Sequence, residues 1–383
     1  MTDSPDASFD APFDALVFGP GDVDLSRSPL AGRIDAETYV LGAFNPGLTR
    51  LASGNLLMMV RVAEALRHPI RGGSVHSIRW DGAGDAARCV LDAWPLGLVD
   101  TADPRQVQMR GAGFRVLALT SLSWLLPVEL SADGRRVEAV HHDRAIAPRA
   151  SYQCYGVEDA RIARVGDRWL MTACCVSPER HGTALYSSAD ALDWRLEGLV
   201  LDHQNKDMVI FEGLIAGHYW AQTRPLGDCW FAYPPDSEWR AGPSINLASS
   251  PDALHWRPSG HPGIRPHAAT VSTARIGAGA PPILTPEGWL TLWHGAEPSG
   301  QVGIYRTYWS LLDRDEPWRV IRTGHPPLIE PAPALTEPLR DRMYVSDVTF
   351  TTGLVDAGDH WIVASGEADL ACRITHLPKA GFA

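Results

Sequence analysis

The chain has 383 residues, which is long enough for one large domain or two ordinary ones with a sizeable core. Its hydrophobic content of 45% and charged content of 21% are typical of a soluble globular protein. The formal net charge of −11 argues against nucleic acid or an anionic membrane as a partner, because both select a basic surface. No apolar run approaches the length of about 18 residues that a transmembrane helix needs.

The N-terminal stretch, MTDSPDASFDAPFDA, is acidic and rich in proline and serine. It lacks the basic region and the apolar region of a signal peptide. We predict a poorly ordered arm over residues 1–30, followed by a single catalytic domain over residues 31–383. The six cysteines form no CxxC pair and no regular framework, which favours reduced thiols and a cytoplasmic protein.

Short apolar runs separated by turns predict an all-β chain. Thirty prolines and thirty-five glycines interrupt these runs, and long helical periodicity is nearly absent. In chain order, a strand, a glycine turn and an aromatic- or leucine-rich strand recur five times. The five copies are FNPGLTRLASGNLLMMVRV (44–62), EDARIARVGDRWLMTACC (158–175), FEGLIAGHYWAQTRP (211–225), PPILTPEGWLTLWHG (281–295) and VTFTTGLVDAGDHWIVASGEAD (348–369).

A second repeat places an aspartate after Ser-x at intervals of roughly sixty residues. Its copies are SADGRRV (131–137), SADALDW (188–194), SPDALHW (250–256) and a looser LLDRDEPWRVI beginning at Leu311. We interpret the aspartates as turn caps rather than as chemistry. A period of roughly fifty to seventy residues with about four short strands each is what propeller blades require. The sequence therefore predicts a five-bladed β-propeller, whose first repeat is extended by an insertion at about 66–150.

Each predicted hairpin begins or ends with polar groups that are unusual for a buried edge. These groups are Asn45, Arg61, Glu158, Asp159, Arg161, Lys206, Asp207, Arg224, Arg275, His294, Glu367 and Asp369. In a propeller they would project into one central funnel. Asp159 is the best candidate for an acid, and the alternative is a structural aspartate paired with Arg161. His294 could equally be a core histidine, and the cations could be separate surface charges.

Several segments match one family in the expected order between about 40 and 375. They are FNPG (44–47), GVEDARI (156–162), NKDMVIFEG (205–213), TRP (223–225), ARIGAGAPPILTPEGWLTLWHG (274–295), YR (305–306), LLD (311–313) and GEAD (366–369). With these motifs the chain resembles glycoside hydrolase family 130, the inverting β-mannoside phosphorylases and β-mannosidases on five-bladed propellers. The sequence departs from the family pattern at Ala160, Glu212, Thr223 and Asp347, which leaves the acceptor sugar and the linkage open.

The resemblance implies a role for each matching position. Asp159 matches the catalytic acid, which in this family is thought to act through a hydroxyl of the mannosyl ring. Three positions match residues that hold the mannosyl unit, namely Asn45, Arg61 and Asp369. Five positions match the phosphate-binding set of the phosphorylase branch, namely Lys206, Arg224, Arg275, His294 and Tyr305. The implied product is α-mannose 1-phosphate, with inorganic phosphate as co-substrate, no further cofactor and no metal.

The chemistry of cleavage favours the phosphorylase over two alternatives. An inverting hydrolase needs two carboxylates, whereas a phosphorylase needs one acid and a cationic cradle for phosphate. The first alternative is a hydrolase with Glu158 or Glu212 as base, and the second is a non-catalytic sugar-binding propeller. The acid must be protonated near neutral pH, which burial favours and neighbouring cations oppose. Trp124, Trp239 and Trp309 are candidates for stacking on sugar. The partners are thus a small carbohydrate and phosphate, and a homo-oligomer is compatible with the sequence.

Overall fold

The computed structural model describes most of the chain and is mostly β. The described residues are 12–82, 87–111, 115–226, 234–239, 243–261, 263–267, 275–300 and 302–382. Within these ranges there is one short α-helix, α1 (Pro333–Thr336). None of the helices in the described ranges is long and apolar enough to cross a membrane. The prediction of a chain built from β-strands is therefore confirmed at this level.

The described part of the chain contains twenty-seven strands. The first eleven are β1 (Phe13–Phe18), β2 (Thr38–Arg50), β3 (Leu56–Leu66), β4 (Ile70–Arg71), β5 (Ser74–Asp81), β6 (Arg88–Pro95), β7 (Val99–Asp100), β8 (Gln106–Met109), β9 (Val116–Leu119), β10 (Ser121–Leu130) and β11 (Val137–Val140). The next eight are β12 (Gly156–Val165), β13 (Arg168–Val176), β14 (His181–Ser188), β15 (Arg195–Leu201), β16 (Asn205–Ile210), β17 (Tyr219–Pro225), β18 (Asn246–Ser250) and β19 (Arg257–Pro258). The last eight are β20 (Arg275–Ala278), β21 (Ile283–Thr285), β22 (Gly288–Glu297), β23 (Ile304–Leu312), β24 (Val320–Thr323), β25 (Thr349–Asp356), β26 (His360–Glu367) and β27 (Ala371–Pro378).

The long strands form five antiparallel groups. The first group has the order β2-β3-β10-β11, and the second has β12-β13-β14-β15. A single parallel pairing, Ser123 with Gly156, joins these two groups into one sheet. The third group is β16-β17-β18-β19, and in the fourth both β20 and β21 pair with β22, which continues to β23 and β24. The fifth group is β25-β26-β27 with β1 as its outer strand.

Four of the five predicted hairpins coincide with the first two strands of a group. The third differs, because residues 211–215 form the connection and the first strand lies earlier, at Asn205–Ile210. Phe211 is buried, as a strand residue would be. It nevertheless lies in the connection, where its ring packs against Trp289.

The Ser-x-Asp repeat occupies the turn between the third and fourth strands of four groups. Asp190 Oδ1 accepts hydrogen bonds from the backbone N–H groups of Leu192 and Asp193, both at 2.8 Å. Asp252 makes the equivalent pair of bonds at 2.9 Å. Asp313 and Asp133 cap their turns in the same way. The interpretation of these aspartates as turn caps is confirmed. The fifth group is completed differently, since its outer strand is β1.

Part of the predicted N-terminal arm is built into the fifth group. Residues 1–11 lie outside the described residues, but β1 pairs with β27 in antiparallel register. Arg373 donates to both carboxylate oxygens of Asp14, at 2.6 and 2.7 Å, and Thr375 adds a bond of 2.9 Å. The prediction of a poorly ordered arm over residues 1–30 therefore does not hold for β1, because its backbone and Asp14 are both held by β27.

The insertion in the first group is shorter than predicted. Two small three-stranded sheets, β4-β5-β6 and β7-β8-β9, lie between β3 and β10. The predicted limit at about residue 150 is too far along the chain, because β10 and β11 belong to the first group itself. The sequence does not reveal this limit, because β10, SLSWLLPVEL, lacks the glycine turn that marks the predicted hairpins.

Five apolar clusters fill the spaces between neighbouring groups. Met59 and Met171 lie in a cluster between the first and second groups, and Leu170 and Met208 lie in one between the second and third. Three further clusters connect the third group with the fourth, the fourth with the fifth, and the fifth with the first. Each group thus buries both of its faces against neighbours, which supplies the main stabilisation of the fold. The five described cysteines are free thiols, and Cys229 lies outside the described residues.

Candidate active site

A cavity of about 510 Å³ collects residues from all five groups. Eight of the nine predicted site residues line it, namely Asn45, Arg61, Asp159, Lys206, Arg224, Arg275, Tyr305 and Asp369. His294, the ninth, is fully buried behind the wall. The structure thus brings together residues that are far apart in sequence, as the funnel prediction requires.

Backbone bulges direct three of these polar groups towards the cavity. The register of β12 shifts between Glu158 and Arg161, and Asp159 within the bulge has a positive φ of 53°. Bulges in β2 and β16 place Asn45 and Asp207 at φ values of 49° and 57°. Asn and Asp tolerate this left-handed conformation better than other residues with a side chain. A polar residue inside an otherwise apolar inner strand is therefore a sign of a bulge at a site.

Asp159 is a carboxylate in the unliganded protein. Its Oδ1 accepts bonds from Asn45 Nδ2 at 2.9 Å and Arg61 Nη1 at 3.1 Å. Burial alone raises the pKa of Asp159, but the charges of Arg61, Arg161 and Lys206 outweigh it and hold the pKa at about 2. The charges of the cations therefore outweigh burial, and this carboxyl is ionised at neutral pH.

Glu158 connects two of the cations next to Asp159. Its carboxylate lies 2.7 Å from Arg61 Nη2 and 3.5 Å from Lys206 Nζ. Burial on its own lowers the pKa of Lys206, but Glu158 and Asp159 raise it above its usual value. Lys206 is therefore a fixed positive charge. Asp369 differs, because burial raises the pKa of this carboxyl despite the opposing charges of Arg61 and Arg105.

Arg224 is oriented from behind by two buried side chains. Its Nη2 lies 3.0 Å from Asp207 Oδ2, and its Nη1 lies 3.3 Å from His294 Nε2. A guanidinium only donates, so in this contact Nε2 of His294 is the acceptor. Burial, followed by the charges of Arg224 and other arginines, keeps the pKa of His294 well below its usual range. His294 therefore contacts Arg224 rather than the cavity.

Arg275 has a different environment from the other cations. It lies on the exposed start of β20, and its guanidinium is 5.8 Å from the ring centre of Tyr305. Within the described residues it forms no ion pair with a carboxylate. Its charge is therefore available to an anion in the cavity without breaking an existing pair.

Close packing at Gly277 explains the glycine-rich segment GAGAPP. A Cβ atom at Gly277 would lie 2.5 Å from both Asp207 Oδ2 and His294 Cε1. Only glycine allows β20 to pass this close to the two groups that orient Arg224. The glycine at this position therefore lets β20 approach the two side chains that contact Arg224.

Sequence reasoning missed several residues that line the cavity. They are Leu41, Phe44, Ala63, Arg105, Gln106, Leu119, Ser121, His181, Leu226, Val302, Tyr344, Val348 and Phe350. Glu158 and Asp207, which the sequence indicates as polar hairpin residues, line the cavity as well. Four of the missed residues come from the insertion and the first residue after it. The charge of Lys206, together with burial, lowers the pKa of His181 to about 3, so this imidazole is neutral.

The tryptophans proposed for sugar stacking do not line this cavity. Trp124 is fully buried in the core, where its Nε1 donates to Glu64 at 3.0 Å. Trp309 is buried between the fourth and fifth groups. Trp239 is also absent from the cavity wall. With these residues excluded, the aromatic surface of the site comes from smaller rings, namely Phe44, Tyr305, Tyr344 and Phe350.

A second carboxylate suited to activating water is not found at Glu212. This residue follows β16 at the end remote from Lys206 and accepts a bond from the backbone N–H of Arg164 at 3.2 Å. It does not line the cavity. In the described ranges, no group of three or more His, Cys, Asp and Glu side chains is arranged to hold a metal ion.

A family model described as beta-1,4-mannooligosaccharide phosphorylase, of glycoside hydrolase family 130, matches residues 113–380. The chain belongs to glycoside hydrolase family 130. It is 30% identical over 340 residues to the β-1,2-mannobiose phosphorylase of Listeria innocua, covering 86% of this chain and 87% of that protein. A solved β-1,2-mannobiose phosphorylase from Listeria innocua, in complex with β-1,2-mannobiose, superposes with a TM-score of 0.79 and 27% identity, covering 95% of each chain. A 1,2-β-oligomannan phosphorylase of a Thermoanaerobacter species is 29% identical over 225 residues, 58% of this chain and 68% of that protein.

The departures of this family 130 member from the family pattern lie outside the cavity wall. Ala160, Glu212, Thr223 and Asp347 are all absent from the residues that line it. Ala160 is buried in the bulge of β12, and Asp347 is exposed just before β25. The side chains present at these four positions therefore do not contribute to the cavity wall.

Proposed function

We propose that the protein is an inverting β-mannoside phosphorylase that cleaves a β-1,2-linked mannoside with inorganic phosphate and releases α-mannose 1-phosphate. The observation that carries the proposal is the charge of the cavity. Among the described residues, five cationic side chains and four carboxylates line it, although the whole chain has a net charge of −11. The cations are Arg61, Arg105, Lys206, Arg224 and Arg275, and the carboxylates are Glu158, Asp159, Asp207 and Asp369.

A phosphate group fits this excess of cations better than a water nucleophile does. Phosphate is already an anionic nucleophile, so it needs charge compensation and positioning rather than a base. Lys206, Arg224 and Arg275 supply charge, and Asp207 with His294 fixes Arg224. A phosphate oxygen then attacks the anomeric carbon of the mannosyl unit from the face opposite the leaving oxygen. The new carbon–phosphate-oxygen bond forms as the glycosidic bond breaks.

The leaving oxygen takes up one proton in this step, and Asp159 supplies it. Asp159 is ionised when the site is empty because the surrounding cations lower its pKa. A bound phosphate would offset those cations and raise the pKa of Asp159, so the acid acquires its proton in the complex. Asn45 and Arg61 keep the carboxyl in place, and with Asp369 they hold the mannosyl unit.

Glu158 and Glu212 are poor candidates for the base of a hydrolase. Glu212 does not line the cavity. Glu158 does, but its carboxylate is already paired with two cations, at 2.7 Å from Arg61 and 3.5 Å from Lys206, and is not free to position a water molecule. Both observations favour phosphorolysis over hydrolysis.

We infer further that the five antiparallel groups are the blades of a five-bladed β-propeller. The support is the cyclic order of the apolar clusters, which connect each group to the next and the fifth to the first. A ring of sheets is the arrangement in which every sheet has two neighbours. The cavity would then lie at the axis, where the bulged inner strands meet.

The proposal is tested by the phosphate dependence of β-1,2-mannobiose breakdown. We expect α-mannose 1-phosphate as the product and no turnover without phosphate. Arg275→Ala should raise the KM for phosphate by about tenfold or more, because a charge-assisted contact is lost. Arg168→Ala is the matched control, since Arg168 also lies over a tyrosine ring but on the outside of β13. Equal release of free mannose with and without phosphate would show a hydrolase instead.

A further inference from the structure

The insertion between β3 and β10 contributes a prepared pair of side chains to the cavity. Arg105 and Gln106 lie at the start of β8 and both line the cavity. The side chain of Arg105 is 32% exposed, whereas that of Asp159 is 9% exposed. The pair therefore sits nearer the mouth of the cavity than the candidate acid does.

A buried aspartate fixes the orientation of both side chains. Asp103 has a side-chain exposure of 3%. Its Oδ1 accepts from the backbone N–H and the Nε of Arg105, both at 3.0 Å. Its Oδ2 accepts from Arg105 Nη2 and from Gln106 Nε2, both at 2.9 Å. One buried carboxylate thus makes four hydrogen bonds, and every one of them goes to these two residues.

The polar atoms of Arg105 and Gln106 that Asp103 does not bind are better suited to a sugar than to an anion. Arg105 Nη1 and Gln106 Oε1 make no hydrogen bond to any of the described residues. They offer a donor group and an acceptor group side by side, the combination that neighbouring hydroxyl groups need. Asp103 compensates the charge of Arg105, so the pair attracts phosphate less than Arg275 does, which has no carboxylate partner among the described residues. Preformed contacts of this kind also cost little conformational entropy on binding.

We propose that Arg105 and Gln106, held by Asp103, bind hydroxyl groups of the second sugar unit, the one that leaves during phosphorolysis and acts as acceptor in the reverse reaction. The inference rests on the proposed function, because it assigns the partner of the mannosyl unit in the same cavity. The insertion would then determine acceptor specificity, because both residues belong to it.

The reverse reaction separates the two sugar sites. We would measure synthesis from α-mannose 1-phosphate and mannose, with each substrate varied in turn. Arg105→Met should raise the KM for the mannose acceptor by about tenfold or more and leave the KM for α-mannose 1-phosphate within about twofold. Asp103→Asn should act in the same direction with a smaller effect, because it loosens Arg105 without removing it. Gln106→Ala should also raise only the acceptor KM.

The matched control is Arg79→Met, which lies in the same insertion. Arg79 makes a two-point ion pair with Asp92, at 2.6 and 3.1 Å, but does not line the cavity. It should leave both KM values within about twofold of wild type. If Arg105→Met fails to fold, Gln106→Ala and Asp103→Asn carry the same comparison.

Two failures are distinguishable. If the wild-type protein shows no phosphate-dependent turnover, the proposed function is wrong, and calorimetric binding of β-1,2-mannobiose to wild type and Arg105→Met then decides the inference. Weaker binding by the variant supports it, and equal binding overturns it. If the wild type is active and a folded Arg105→Met retains the wild-type acceptor KM, the inference is overturned while the proposed function stands.

Discussion

In the proposed mechanism Asp159 has to change its protonation state, because the cations that would bind phosphate also lower the pKa of this carboxyl. Arg61 lies 3.1 Å from its carboxylate, and the charges of Arg161 and Lys206 act in the same direction. The proposed acid would therefore gain its proton only after phosphate has bound. The proton donor and the nucleophile would then be present together.

Asp159→Asn should lower kcat by a factor on the order of 10²–10⁴, the usual cost of removing a general acid. Asparagine keeps the bond to Asn45 but cannot donate the proton. The measurement is the steady-state rate of phosphorolysis, with thermal unfolding followed in parallel because the ion pair with Arg61 is also lost. An Asp159→Asn variant with wild-type kcat would assign the acid to another residue.

Phosphate binding should be accompanied by proton uptake. The pKa of Asp159 is about 2 in the free protein, and a bound anion raises it by offsetting Arg61, Arg161 and Lys206. Calorimetry at about pH 6, in two buffers with different ionisation enthalpies, measures the number of protons exchanged per bound phosphate. The ionisation of phosphate itself is common to both proteins, so we expect wild type to take up more protons than Asp159→Asn does. Equal proton numbers for the two proteins would contradict this coupling.

Glu212 should affect stability rather than activity. Burial raises its pKa from 4.5 to about 7, so the folded protein favours the neutral acid. Because the pKa is raised on folding, the protonated Glu212 contributes stability to the folded protein. This contribution is fully present below the pKa of Glu212 in the unfolded chain and is lost as pH rises through about 7. Glu212→Gln keeps the neutral form, so it should stabilise the protein at about pH 8 by on the order of 1–3 kcal/mol and have little effect at about pH 4.

The comparison for Glu212→Gln is thermal unfolding at the two pH values, together with the rate of phosphorolysis. The rate should stay close to wild type. A large loss of activity would return Glu212 to the list of candidate bases, and a stability difference independent of pH would mean that the carboxyl does not titrate as described.

At the scale of the strand, the bulges turn a buried hairpin into part of a site. Each bulge in β2, β12 and β16 moves a polar residue out of the ladder at positive φ, while nearby residues of the same strands, such as Leu48, Val157 and Met208, lie in the apolar clusters. The same strand can therefore serve the core and the cavity. This arrangement also explains why Glu158 and Asp159, adjacent in sequence, both reach the cavity wall.

Gly277→Ala tests how closely β20 must approach the groups behind Arg224. The added Cβ would lie 2.5 Å from Asp207 Oδ2 and from His294 Cε1, both buried and unable to move freely. We expect a loss of stability of about 1–3 kcal/mol and an increase in the KM for phosphate of roughly tenfold, since Arg224 would be displaced. Gly97→Ala is the control, because nothing lies within 4 Å of a Cβ at that position. An unchanged phosphate KM would separate Arg224 from its supporting groups.

The hairpins and turns were predictable from sequence because each is encoded locally. A glycine turn between apolar runs and a Ser-x-Asp cap both act within a few residues. The family motifs then located eight of the nine predicted residues on one cavity wall. By contrast, Arg105 and Tyr344 come from segments without a motif, and the bulge at Asp207 depends on packing against β20. The protonation state of Asp159 depends on three cations distant in sequence, so no local pattern contains it.

At the scale of the whole molecule, the fifth group depends on a strand from the other end of the sequence. Asp14 on β1 and Arg373 on β27 are 359 positions apart, and they form a two-point ion pair in which the arginine side chain is 6% exposed. The apolar cluster between the fifth and first groups includes Phe18 from β1 as well. The proposed ring therefore closes through side chains as well as backbone.

Asp14→Ala should destabilise the protein by about 1–3 kcal/mol, because the buried Arg373 would lose a two-point contact and keep only Glu367 as a carboxylate partner. Glu337→Ala is the control, since its ion pair with Arg340 is exposed on both sides and should be worth less than about 1 kcal/mol. Denaturant unfolding of both variants measures the difference. If the two variants lose equal stability, β1 is held by its backbone pairing and not by Asp14.

The pairing of β1 with β27 also has a consequence for synthesis. β1 is translated before the five groups of strands, yet its partner strand is translated only after the other four groups. At about 5–20 residues per second, that leaves β1 with an unsatisfied edge for tens of seconds. Contacts of such long sequence separation are also the slowest to form in free solution. Newly made chains should therefore spend their most aggregation-prone period with four groups folded and the last one waiting for its outer strand.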